Sequence, residues 1–185
     1  MTFWQDPQLE PKRAYRFTMS VAGLDTVIPQ FLITKVTKPG FDISESEHKY
    51  LNHTFYYPGR VTWTDVSFTI VDVIDSVSNG TQAVMKMLDA AGYKIPVDDG
   101  VTQSMSKANS IKALGTITIH QIDSNGKIVE DWVLKNAWIR SAKFGDLDYG
   151  SEDMQNVEVT LKYDNAYINV YRGDGKLPTN AAGAN

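Results

Sequence analysis

Cysteine is absent from the 185 residues, which excludes disulfide staples, thiolate zinc sites and cysteine nucleophiles together. There is no apolar run near the roughly 18 residues that a membrane-spanning helix needs. The opening residues, "MTFWQDPQLEPKR", lack the basic-then-apolar order of a secretory signal. The expectation is a chain made and used in a cytoplasm, with no membrane insertion of its own. Positive charge is not in excess: 18 Lys and Arg against 22 Asp and Glu leave a formal net charge of −4. A nucleic-acid binder ordinarily carries a basic stripe, so tight DNA binding is not expected, though DNA passing nearby remains compatible with this balance. Gly-x-Ser-x-Gly does not occur, and "GDGK" at 173–176 lacks the preceding strand and following helix that aim a phosphate-binding loop.

What is present is mostly strand pattern. "YRFTMSV" alternates, with Tyr15, Phe17, Met19 and Val21 on one face, and "FLITKV" (31–36) supplies a second strand. In "FDISESEHKYL" the chain turns polar on both faces after Phe41 and Ile43, so this segment leaves the body or lies in a wet interface. "YYPGR" follows, where Pro58-Gly59 suits the central positions of a type II turn. The return, "VTWTDVSFTIVDV", changes parity near Thr64-Asp65, which reads as a β-bulge. "NGTQAVMKMLDAAGY" is the one expected helix, capped by Asn79 with Gln82 in the reciprocal position, ended by Gly92, and buried through Val84, Met87, Leu88 and Ala91. Residues 94–112 read as irregular with at most a short helical turn. "TITIHQI" and "KIVEDWVL" flank Asp123-Ser124-Asn125-Gly126, a hairpin signal that places Ile119 opposite Trp132 and His120 opposite Asp131. "AWIRSAKF" and "NVEVTLKYD" complete the set, with Val157, Val159, Leu161 and Tyr163 on one face.

The expected fold is mainly β: two packed sheets, sandwich or barrel-like, with one flanking α-helix and an extended hairpin arm. It is one domain over 1–185, with an N-terminal arm at 1–12, a projecting hairpin arm at 44–62 and a flexible tail at 173–185.

Each chemical reading of the residues has a plainer rival. His48 and His53 lie near Glu45 and Glu47, as in metal sites. A spacing of five along one strand sends the two rings to opposite faces, so solvated polar residues are the better reading and no metal is expected. His120 facing Asp131 resembles part of a catalytic triad, but no activated nucleophile accompanies it; a surface pair is the plainer account. "FGDLDYGSED" (144–153) fails as a calcium loop: counting from Asp146, Gly150 is fifth and Val157 twelfth, where Gly is needed sixth and Glu twelfth. The Arg-Gly-Asp at 172–174 reads as coincidence in a polar tail. Phe55, Tyr56 and Tyr57 are different, because a strand tip cannot bury three successive rings in its own body. Either they take a ligand such as a sugar, or another subunit covers them, and aromatics beside Arg60 are typical interface anchors.

Three segments carry a likeness to a known family: Tyr57-Pro58-Gly59-Arg60-x-x-Trp63; Asp123-Ser124-Asn125-Gly126 followed by Trp132-x-Leu134-x-Asn136-Ala137-Trp138; and Phe144-Gly145-Asp146-Leu147-Asp148-Tyr149 before a final alternating strand. Over Tyr15 to Asp164 the chain resembles the tail tube protein of contractile-tailed bacteriophages. The resemblance implies hexameric rings stacked into a hollow tube inside a contractile sheath, with the inner sheets of six subunits joined edge to edge around the lumen. It implies a structural, non-enzymatic part without cofactor, located in the virion tail and assembled in the host bacterial cytoplasm. Its implied partners are its own copies, the tail sheath protein, the baseplate and tail-terminator proteins, and DNA passing through the lumen without specific binding. On this reading Glu45, Glu47, His48, Tyr50, Asn52, His53, Phe55, Tyr56, Tyr57, Arg60 and Trp63 are candidates for contact between subunits. Thr116, Thr118, Glu158, Thr160 and Lys162 are candidates for the channel wall. The same architecture serves type VI secretion and related injection machines that deliver protein, which is the first alternative. A carbohydrate-binding β-sandwich using Phe55, Tyr56 and Tyr57 is the second, and a hydrolase using His120 and Asp131 would need the missing nucleophile.

Overall fold

The alternating segments pair into two four-stranded antiparallel sheets and a separate two-stranded ribbon. The structure, a computed structural model, describes residues 10–23, 28–75, 79–94 and 104–171. Most of the expected N-terminal arm, the tail at 173–185 and the Arg-Gly-Asp at 172–174 lie outside the described residues. The strands are β1 (Phe17–Ala22), β2 (Ile33–Val36), β3 (Phe41–Tyr50), β4 (His53–Trp63), β5 (Val66–Val71), β6 (Thr116–Ile122), β7 (Ile128–Lys135), β8 (Trp138–Lys143), β9 (Asn156–Lys162) and β10 (Asn165–Val170). The first sheet has the order β1-β6-β7-β10 and the second β2-β5-β9-β8.

Period-2 alternation decides which faces meet. Met19 and Val21 of β1, Ile117 and Ile119 of β6, Phe68 and Ile70 of β5, and Val157, Val159 and Leu161 of β9 are all buried in one core between the sheets. The 6–7 hairpin has the expected register, Ile119 opposite Trp132 and His120 opposite Asp131, with an irregularity between Gln121 and Ile122. Helix α1 (Gly80–Ala90) is capped as its sequence requires, Asn79 accepting from the Gln82 N–H at 2.7 Å. Asp72 adds a second cap, accepting from the Gly80 N–H at 2.9 Å and from the Thr81 hydroxyl at 2.6 Å. Ala83, Val84 and Met87 bury the face of α1 that meets the core.

Four expectations are corrected. Residues 107–114 form a second helix, α2 (Lys107–Leu114), with Ser106 accepting from the Asn109 N–H; its short length and weak stripe hid it. β10 is an additional strand: Ala166 and Ile168 alternate with Asn165 and Tyr167 as it closes the first sheet against β7. The parity change near Thr64-Asp65 is no bulge but a corner between β4 and β5, which belong to different sheets. Pro58-Gly59 is not the turn of the arm; both lie inside β4, and the chain reverses at Leu51-Asn52 with Leu51 at φ 51°. Among the described residues no helix is long and apolar enough to cross a membrane.

Candidate functional site

The arm grows out of the β2–β5 hairpin. Beyond Val36 opposite Phe68, the Thr37 N–H still reaches the Ser67 carbonyl at 2.8 Å, and the Thr64 N–H reaches the Gly40 carbonyl at 2.9 Å. The same ladder then runs on as β3 and β4, out of the sheet. A side chain at Gly40 would place its Cβ 2.9 Å from the Thr64 hydroxyl, which would have to move, so the elbow is closely packed around glycine. Every residue of β3, and every residue of β4 except Trp63, is exposed. Ten paired residues at roughly 3.3 Å each project about 30 Å.

Two groups fix the root. Trp63 packs its ring against Tyr163 of the core edge at 6.0 Å, and Phe41 meets Trp63 edge-on at 5.7 Å. On the other side of the elbow Lys38 donates to Glu130 of β7 at 2.7 Å; Lys12 also pairs with that carboxylate, and the Trp132 indole donates to it at 2.7 Å. Burial pushes the Glu130 carboxyl up, but these hydrogen bonds outweigh it and bring its pKa to about 2. Behind the root, Asp65 accepts from Lys162 at 2.8 Å and pairs with Arg140, so its carboxyl is held low, chiefly by the Lys162 hydrogen bond.

Register sorts the arm residues onto two faces. Tyr50 lies opposite His53, His48 opposite Phe55 and Ser46 opposite Tyr57; Lys49 lies opposite Thr54, Glu47 opposite Tyr56 and Glu45 opposite Pro58. The first three pairs share one face and the last three the other. This corrects the expectation for the histidines: because they stand on different strands, His48 and His53 share a face, with Tyr50, Phe55 and Tyr57, while Glu45 and Glu47 face away. No group of three metal-ligating side chains occurs among the described residues. A bulge sets the faces near the root, where Gly59 and Arg60 together oppose Ser44. The Arg60 N–H donates to the Ser44 hydroxyl at 2.8 Å. A Cβ on Gly59 would stand 2.9 Å from the Ser44 carbonyl oxygen. Phe55, Tyr56 and Tyr57 are 50, 61 and 57% exposed, so neither face of the ribbon shelters them. Asn52 is in the reversal itself. Phe41, Ile43 and Val61 add an exposed apolar strip near the root, more than half exposed each.

The candidate channel residues do not come together. Thr116 and Thr118 are on the outer face of the first sheet, Glu158, Thr160 and Lys162 on the outer face of the second, and the core separates them. Across the first sheet's outer face, Thr18, His120, Asp131 and Asn169 form one row and Ser20, Thr118, Val133 and Tyr167 the next. His120 and Asp131 are neighbours without a triad's bond. Asp131 Oδ2 accepts from the Tyr171 hydroxyl at 2.9 Å, while His120 Nδ1 and Asp131 Oδ1 are buried without a partner among the described residues. Among the described residues β1 and β10 are the margins of this sheet, each pairing on one side only.

No family model and no curated protein matches the chain. Solved structures do. A chain of the anti-feeding prophage baseplate, symmetrised six-fold, matches with a TM-score of 0.62 at 15% identity, over 87% of this chain and 97% of that one. A chain of the sheath-tube complex of an extracellular contractile injection system in its extended state matches at 0.61 and 20% identity, over 92% and 99%. A chain of the anti-feeding prophage's tube-terminating cap matches at 0.62 and 17% identity, again over 92% and 99%. The architecture is therefore a mainly β fold of antiparallel sheets. Its particular form is the fold found in contractile injection machines, in agreement with the tail tube resemblance of the sequence.

Proposed function

We propose that the chain is a non-enzymatic tube subunit of a contractile tail or injection machine, closing into rings that stack around a channel. The observation that carries this reading is the arm: about 30 Å of paired backbone with its aromatic side chains exposed and no cover from the other described residues. Free strand margins support the same reading. The first sheet has four strands, all antiparallel to their neighbours. With an even number per copy, β10 of one copy meets β1 of the next antiparallel, and a ring satisfies both margins of this sheet.

Of the two outer faces, the first sheet's is the better channel wall. It carries Thr18, Ser20, Thr116, Thr118 and Asn169 with few charges, Asp131 and Lys135 among them, whereas the second carries Glu158, Lys162, Lys143 and Arg140. A wall without a cluster of cations, on an acidic protein, gives phosphates little to hold them. Phage DNA is the first cargo reading. Protein cargo is the second, favoured by the injection-machine origin of the similar structures. Electron microscopy of the purified protein tests the assembly: rings and hollow rods are expected, and dispersed single particles at high concentration refute it. Thr118→Lys is then expected to slow cargo passage through otherwise normal tubes more than Thr160→Lys does.

A further inference from the structure

The strand directions put two unlike surfaces at opposite ends of the second sheet. The arm leaves where β2 ends and β5 begins. At the other end, β8 runs into the 144–155 loop and that loop runs into β9, with Val71 of β5 opposite Asn156. This pole is unusually apolar for an exposed surface: Phe31, Ile74, Leu147, Tyr149 and Met154 are each 72% exposed or more. The loop is nonetheless built. Gly145 takes φ +73°, with Gln155 bonded to the Phe144 carbonyl across its stem, and Asp148 accepts from the Gly150 N–H at 2.9 Å to set its tip. Its acids, Asp146, Asp148, Glu152 and Asp153, form no ion pair among the described residues.

We infer that this loop is the socket for the arm of another copy, so that successive rings lock head to tail. The inference rests on the tube reading above and names the partner of the arm. The occupant is argued from complementarity. The arm face with His48, Tyr50, His53, Phe55 and Tyr57 holds rings and N–H or O–H donors and, between its tip and the bulge, no carboxylate; Glu45 and Glu47 are sorted to the other face. The socket offers the converse, exposed apolar side chains set among carboxylate acceptors. A projection at one end and a receptor at the other form a heterologous contact, which propagates along an axis instead of closing on itself.

The experiment uses two full-length variants, Leu147→Ser with Tyr149→Ser at the socket, and Phe55→Ser with Tyr57→Ser on the arm. All four side chains are at least 50% exposed, so the fold is expected to survive. Wild type is expected to form rods, and each variant alone rings that do not stack. Mixed one to one, they should yield stacks of only two rings, since the socket variant still donates its arms and the arm variant still offers its sockets. Long rods from the socket variant, loss of rings in the arm variant, or a mixture with no ring pairs would each overturn the inference. Wild type that forms neither rings nor rods would instead overturn the tube reading beneath it.

Discussion

Lys38 and Glu130 join the two sheets across the elbow of the arm, the ammonium of one donating to the buried carboxylate of the other at 2.7 Å. Glu130→Gln removes the charge that Lys12, Lys38 and the Trp132 indole share, and is expected to cost about 2 kcal/mol. Folding lowers this carboxyl from 4.5 to about 2. Its contribution is therefore complete above pH 4.5 and is lost as the pH falls toward 2. Melting temperatures measured from pH 7 down to pH 2.5 should fall more steeply for wild type than for Glu130→Gln in that window; parallel curves would contradict this role.

Removing Asn52–Arg60 should separate folding from assembly. Of this stretch no residue is buried, so the truncated protein is expected to melt within a few degrees of wild type while forming no rods in electron micrographs. Normal rods from it would be incompatible with the arm as an assembly element.

Gly59→Ala tests the bulge. The new methyl would press on the Ser44 carbonyl, so the ribbon beyond the bulge must shift or fray. Amide hydrogen exchange in the soluble subunit should rise across 44–60 and stay unchanged in β5, β6 and β9.

The caps of α1 offer a stability test through the Asp72 side chain, while the Asp72 N–H keeps its bond to the Gln155 carbonyl at the foot of the 144–155 loop. Asp72→Ala deletes the acceptor for Gly80 and Thr81, leaving Asn79 alone at the helix start. The expected loss is about 1–2 kcal/mol in denaturant unfolding, with assembly by the folded fraction unaffected.

Tyr163 carries a buried hydroxyl at the foot of the arm. Among the described residues that hydroxyl has no hydrogen-bond partner, and burial, with the Asp65 charge second, pushes its pKa up to about 12. Tyr163→Phe keeps the ring against Trp63 and removes only the unpaired group. The expected change in stability is within about 0.5 kcal/mol, or slightly favourable; a loss above about 2 kcal/mol would point to a partner for that hydroxyl.

Much of this architecture was legible because it is written in local alternation. Val157, Val159, Leu161 and Tyr163 declare one buried face, and Asn125-Gly126 declares a reversal whose register followed by counting. β10 had the same signal, with Ala166, Ile168 and Val170 on alternate positions, but as a margin strand it is only partly buried and its pattern is diluted by Asn165 and Asn169. The arm misled for a different reason. Pro-Gly is favourable both in a type II turn and at a bulge on an unpaired edge, and nothing within five residues distinguishes them. The actual reversal falls on Leu51, a residue that rarely takes positive φ. Which faces the histidines and glutamates occupy depended on that choice: the register brings His48 and His53 onto one face and turns Glu45 and Glu47 to the other. The socket loop was read only as a turn with acids, because exposure of Leu147 and Tyr149 is a property of the folded surface and not of the residues' spacing.

The arm and the 144–155 loop occupy opposite ends of one sheet, and this gives the molecule a direction. With the loop as socket, any column built from it presents free hooks at one terminus and vacant cups at the other. A factor that starts such a column and a factor that stops it must therefore display different chemistry, one shaped to receive aromatic fingers and the other to supply them.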